Sequence, residues 1–127
     1  GHQILKGLTP KLFEGSDKIL RDFIYIEDII QANIKACKPK KSGVYNVGTG
    51  NARSFEDIVN ILQKELEIDN GKEYIPNPYV GSYQFFTEAN ILTTKKFLDY
   101  EPRFSLEDGI KAYIPEIKRL FAEEVKW

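Results

Sequence analysis

Arg21-Asp22-Phe23-Ile24-Tyr25-Ile26-Glu27-Asp28, followed downstream by Val44-Tyr45-Asn46-Val47-Gly48-Thr49-Gly50, is the stretch on which the reading of the fold turns. Phe23 to Ile26 has the aromatic and β-branched composition of a strand. Asp28 is then placed to cap a helix running to about Cys37, with Gln31 completing a capping-box arrangement. Val44 to Val47 reads as a short strand buried on both faces, Gly48 to Gly50 turns the chain, and Ser54 with Asp57 opens a second helix. Strand-helix repeated in this way predicts an α/β fold rather than a helical bundle or a sandwich.

Working outward, Ile4, Leu5 and Gly7 have the character of a last helical turn and its terminating glycine, as if the chain began inside an element. Lys11 to Glu14 is a short strand candidate, and Gly15, Ser16 and Asp17 are turn formers. The second helix carries Phe55, Ile58, Val59, Leu62 and Leu66 on one face. Glu73 to Ile75 makes a weaker strand, and Asn90 to Leu98 a short helix. Ser105 caps a longer helix with Leu106, Ile110, Tyr113, Ile114, Ile117, Leu120 and Phe121 on one face. Pro115 is expected to kink it, because it lacks a donor and its ring meets the carbonyl of Lys111. No repeat or low-complexity tract divides residues 1–127, so they are expected to form one unit. The few short strands make a thin sheet, and a strand buried on both faces at Val44 to Val47 calls for neighbours that this sequence barely supplies.

Composition narrows the function. Eighteen basic residues nearly cancel nineteen acidic ones, so no global positive field collects phosphate backbones, which argues against nucleic acid. No apolar run approaches the ~20 residues of a membrane span. A single cysteine and no secretory leader point to a cytoplasmic protein. With one His, one Cys and no Met, neither a His/Cys metal site nor a Ser-His-Asp or Cys-His relay is available. Chemistry falls to carboxylates, hydroxyls, Tyr, Lys and Arg. His2, near a free end, and Cys37, on a helix face, are given no role.

Gly48-Thr49-Gly50 lies between a strand and a helix, where dinucleotide-binding turns occur, but Arg53 stands where the third glycine is required, which favours a structural turn. Arg21 opens an apolar strand after a turn. Its planar fork suits a diphosphate, and an ion pair with Asp22 or Asp17 suits it equally. Phe13-Glu14-Gly15-Ser16 offers an aromatic face, an acceptor, a glycine and a hydroxyl, suited to a base, ribose or phosphate and also to a plain strand end. Tyr83, after Gly81 and Ser82, either donates to a phosphate or sugar or packs half-buried.

The Leu12-Phe13-Glu14-Gly15-Ser16 run, the Arg21 to Asp28 run and the Val44 to Gly50 run with Ser54 together resemble the second half of the extended short-chain dehydrogenase/reductases acting on nucleotide sugars. Within that superfamily, Pro10 to Ser16, Tyr74-Ile75-Pro76 and Gly81-Ser82-Tyr83-Gln84 leading to Phe86-Thr87 resemble the ADP-L-glycero-D-manno-heptose 6-epimerases over essentially the whole chain. The resemblance implies an isomerase that interconverts two ADP-heptoses for the inner core of lipopolysaccharide, uses NADP and forms homo-oligomers. It also implies that Phe13, Glu14, Gly15, Ser16, Arg21 and Tyr83 line the ADP-sugar site, with Arg21 on the diphosphate. None of the seven tyrosines has a lysine four positions on, so the family's Tyr-x-x-x-Lys pair is not in this sequence, nor is its glycine fingerprint for NADP. The chain is therefore expected to contain no catalytic and no cofactor-binding residue, to be inactive alone, and to have the Rossmann cofactor half as its partner. Another extended-family epimerase or dehydratase, or a non-catalytic nucleotide-sugar binding module, remains the alternative.

Overall fold

The computed structural model describes residues 1–123. Among them the order is α1 (His2–Leu5), β1 (Lys11–Phe13), a 3-10 turn (Ser16–Lys18), β2 (Leu20–Arg21), α2 (Ile26–Ala36), β3 (Arg53–Ser54), α3 (Phe55–Leu66), β4 (Glu73–Ile75), α4 (Leu92–Leu98) and α5 (Leu106–Ala122). The strands form two small ladders. β1 pairs with β4 in parallel, with Leu12 opposite Tyr74, and β2 pairs with β3 antiparallel, with Leu20 opposite Ser54 and Arg21 opposite Arg53.

The two longest helices follow from their ends and faces. Ser54 accepts from the Asp57 N–H at 3.0 Å while the Asp57 carboxylate accepts from the Ser54 N–H at 3.2 Å, the reciprocal capping box. The helix then buries Val59 and Leu66 and ends at Glu67, which adopts a left-handed φ of 57°. Ser105 likewise caps α5 through the Asp108 N–H at 3.1 Å. The helix runs through Pro115 as one element, with that residue on its exposed side. Ile4, Leu66 and Ile114 form one core cluster, which brings α1, α3 and α5 together. Ala32, Ile91, Leu98 and Tyr100 form a second, uniting α2 and α4. Each of the buried Ile and Leu side chains contributes about 1.5–3 kcal/mol.

Three expectations are corrected. Phe23 to Ile26 is not a strand: the ladder lies earlier, at Leu20–Arg21, and α2 already starts at Ile26. The aromatic character there serves packing, with Phe23 edge-on to Phe55 at 5.3 Å between ring centres and Tyr25 tilted on Phe104 at 4.7 Å. Asp28 does not cap α2; it lies in the helix's first turn, fully buried, and accepts from the Arg103 N–H at 3.0 and 3.1 Å and from the Phe104 N–H at 3.1 Å. Gln31, rather than closing a box, exchanges two bonds with the backbone of Glu101, at 2.8 and 3.0 Å.

Val44 to Val47 is not a strand either, and Val44 is 99% exposed. The segment is held instead by Tyr45 against Phe97 and by the Thr94 hydroxyl, which donates to the Asn46 carbonyl at 2.5 Å. Beside it, α2 turns Ile26, Ile30 and Ile34 outward at helical spacing, with Ile34 67% exposed. This leaves an apolar stripe on the surface of a helix whose other face is already packed.

The Asp28 contacts generate a prediction. Asp28→Ala orphans two backbone donors and costs about 2 to 3 kcal/mol of folding free energy. Chemical denaturation checks it, and a loss below about 0.5 kcal/mol, the scale of an ordinary surface substitution, would contradict it.

Candidate functional site

The β1 strand and the turn after it place Phe13 through Ser16. Leu12 is buried toward the core, so Phe13, on the opposite face of the strand, is turned outward and only half-buried. Gly15 takes a left-handed φ of 78°, and the position its side chain would occupy is open, with nothing within 4 Å. Glu14 is exposed, its N–H bonded to the Ile75 carbonyl at 2.8 Å. Ser16 is buried at 2% exposure, and its hydroxyl donates to Glu56 at 3.4 Å, so this side chain is directed into the fold.

Phe13 meets Tyr83 edge-on, at 6.1 Å between ring centres, and the Arg21 guanidinium lies 5.4 Å over the Tyr83 ring. These rings border a cavity of about 290 Å³ lined also by Lys11, Ser16, Phe55 and Ile75. Lys11, Phe55 and Ile75 were not singled out by sequence; the alternation of β1, which puts Lys11 and Phe13 on one face, was the available signal for the first. A larger hollow of about 600 Å³ lies between Phe23–Ile26 and helices α3 and α5, lined mainly by apolar side chains.

Arg21 donates through Nη1 to the Leu20 carbonyl at 2.9 Å and through Nη2 to the Gln84 carbonyl. Two backbone carbonyls fix the guanidinium without neutralising it, and among the described residues no carboxylate forms an ion pair with it. The alternative of a pair with Asp22 or Asp17 is not what the structure contains. Of five N–H groups, those not turned to the two carbonyls remain for an acceptor.

Asp22 is occupied elsewhere. Its carboxylate accepts from the Thr49 N–H at 2.9 Å, the Thr49 hydroxyl, the Gly50 N–H at 2.8 Å and the Ala89 N–H at 3.2 Å. Burial opposes its ionisation, but the hydrogen bonds from Thr49, Gly50 and Ala89 outweigh that and hold its carboxyl below the ordinary carboxylate range. The Gly48-Thr49-Gly50 turn is thus a structural turn, as Arg53 in the third glycine's place suggested. Arg53 itself grips Glu107 through two bonds, at 2.9 and 2.6 Å. Buried Tyr100 completes the region, its hydroxyl donating to the Gly48 carbonyl at 2.6 Å. Burial and then the nearby Asp28 and Asp22 push its phenol up to about 12, so it stays a neutral donor at ordinary pH. Among the described residues no group of three His, Cys, Asp or Glu side chains is placed to hold a metal ion, and no helix is long and apolar enough to cross a membrane.

Asp22 yields a pH prediction. Its folded pKa lies below its unfolded value of about 3.9, so its stabilisation is complete above that pH and lost as pH falls through the folded value. Asp22→Asn therefore lowers stability at neutral pH, and the gap from wild type narrows in acid. Denaturant midpoints at neutral and acid pH check this; a gap unchanged with pH would contradict it.

No protein-family model matches the chain. It is 37% identical over 121 residues to an ADP-L-glycero-D-manno-heptose-6-epimerase of Brachyspira hyodysenteriae, a match that takes in 93% of this chain and 38% of that protein. Among solved structures, an ADP-L-glycero-D-manno-heptose-6-epimerase of Helicobacter pylori is 46% identical with a TM-score of 0.78, over 92% of this chain and 35% of that one. A UDP-glucuronic acid 4-epimerase of Bacillus cereus, in complex with UDP-glucuronic acid and NAD, is 31% identical with a TM-score of 0.81, over 94% of this chain and 38% of that one. The chain thus spans little more than a third of the length of these relatives. By sequence and by fold, it is similar over nearly all of its length to the carboxy-terminal portion of the ADP-L-glycero-D-manno-heptose 6-epimerases, among the extended short-chain dehydrogenase/reductase epimerases.

Proposed function

We propose that this chain is the nucleotide-sugar binding part of a cytoplasmic, NADP-dependent ADP-glyceromanno-heptose 6-epimerase that supplies the inner core of lipopolysaccharide. The observation that carries this reading is Arg21: a guanidinium fixed by two backbone carbonyls, without a carboxylate partner among the described residues, beside a cavity faced by Phe13 and Tyr83. A diphosphate satisfies the guanidinium's free N–H groups and its charge, and the two rings give the nucleoside an apolar wall. Exposed Glu14 offers an acceptor for hydroxyls of the ribose or sugar, and open space above Gly15 lets a ligand approach the main chain. With its hydroxyl directed at Glu56, Ser16 contributes through its backbone.

NADP does not fit this chain's own residues. The glycine turn that most nearly matches a dinucleotide cradle has its Thr49 and Gly50 N–H groups spent on Asp22. The cofactor and the proton-transfer residues belong, on this reading, to a Rossmann portion of the same protein, and this chain is inactive without it. Exposed Ile26, Ile30, Ile34 and Val44 supply an apolar face for that portion. What this chain adds to catalysis is binding energy from the remote nucleotide, which holds the heptose in one position for reaction. The protein works as a homo-oligomer on this reading, by analogy with the family.

Calorimetric titration with ADP tests the assignment. Arg21→Ala weakens ADP and ADP-sugar binding alike by about 2 to 3 kcal/mol, the scale of a charge-assisted hydrogen bond. Arg21→Lys recovers part of the loss, because a point charge survives and the planar fork does not. Unchanged ADP affinity with a lowered melting temperature would make Arg21 a structural residue and withdraw the site.

A further inference from the structure

Residues 76–82 connect two positions on the rim of the cavity, since both Ile75 and Tyr83 line it. Both ends are anchored. Ile75 is paired to Phe13 in the β1–β4 ladder, and beyond Tyr83 the chain is held by Arg21 on the Gln84 carbonyl and by the Leu20 N–H on the Phe85 carbonyl at 2.8 Å. Between the anchors, the hydrogen bonds found among the described residues are local: Tyr79 N–H to Asn77 Oδ1 at 2.9 Å and Ser82 N–H to the Tyr79 carbonyl at 2.9 Å. Nothing in that pattern ties the loop to the body of the fold.

The tip of this loop carries Tyr79 and Val80, 59% and 61% exposed. Adjacent apolar side chains held in water beside a partly apolar cavity gain roughly 25 cal/mol for each Å² they bury. The loop has the reach to do so, because an arm of three or four residues spans about 10 to 13 Å. Pro76 and Pro78 stiffen the arm that leaves β4, whereas Gly81, with open space around it, lets the other arm swing.

We propose that loop 76–82 folds over the cavity when a nucleoside diphosphate is bound, and that Tyr79 is a further binding residue that covers the nucleoside. The proposal rests on the reading of the cavity as a nucleotide site. Closure removes water from around the ligand and leaves Arg21, at the far side of Tyr83, on the diphosphate.

Chymotrypsin cleavage after Tyr79, followed with and without saturating ADP, reads closure; ADP titration of Tyr79→Ala and Tyr79→Phe reads the contact. Saturating ADP slows cleavage about tenfold, in proportion to the fall in the open population. Tyr79→Ala weakens ADP roughly tenfold, as loss of one base–aromatic contact does, while Tyr79→Phe keeps the affinity. Pyrophosphate, which has no nucleoside, binds Tyr79→Ala and wild type equally. Unchanged cleavage, together with full ADP affinity in Tyr79→Ala, overturns the loop proposal and leaves the nucleotide site standing, provided Arg21→Ala still loses ADP. Wild-type protein that does not bind ADP overturns both.

Discussion

The Asp22 carboxylate gathers N–H groups from Thr49, Gly50 and Ala89, and so holds two other stretches of chain against its own. Strand pairing is sparse among the described residues, with two ladders of two or three residues, so side-chain carboxylates tie the chain together where a wide sheet does so elsewhere. The cost of leaving such backbone donors unpaired makes the arrangement specific. Gly48 shows how tight it is: a Cβ there would stand 2.6 Å from both the Ala89 Cβ and an Asp22 oxygen. Asp28 repeats the device in the first turn of α2, receiving Arg103 and Phe104 and so fixing where α5 begins.

This anchoring also explains why Arg21 is available. An arginine next to an aspartate would ordinarily be discounted as a local pair, but Asp22 is fully engaged by backbone and hydroxyl donors on its own side of the chain. Arg21 is left to two carbonyls and the face of Tyr83. On the proposed reading, structure and binding divide between neighbours: the aspartate holds the fold, and its fixed position holds the arginine beside the cavity. The Gly48-Thr49-Gly50 turn falls on the structural side of that division, although its sequence resembles a phosphate cradle.

What was legible in the sequence was what depends on neighbours along the chain. The capping box at Ser54 and Asp57, the apolar face of α3, the cap at Ser105 and the turn at Gly15 to Asp17 are local, and each stands where the pattern placed it. Phe23 to Ile26, the cap assigned to Asp28 and the strand at Val44 to Val47 failed because their environment is set at long range. Phe23 answers to Phe55, Asp28 to residues 75 and 76 positions away, and Val44 to nothing among the described residues. At the site, Phe13 and Arg21 both lie against Tyr83, and the inward turn of Ser16 depends on Glu56, which sequence gave no reason to single out. The loop bearing Tyr79 was equally silent, since its significance lies in where its ends are anchored.

The central claim is that a nucleoside diphosphate is held between Arg21 and the Phe13–Tyr83 pair, and a crystal structure of the protein with ADP tests it most directly. The account predicts phosphate oxygens within hydrogen-bonding distance of the Arg21 guanidinium, about 2.7 to 2.9 Å, and the nucleoside in the cavity against Phe13. ADP seated instead on the Gly48-Thr49-Gly50 turn, with the Asp22 bonds broken and Arg21 untouched, would contradict it.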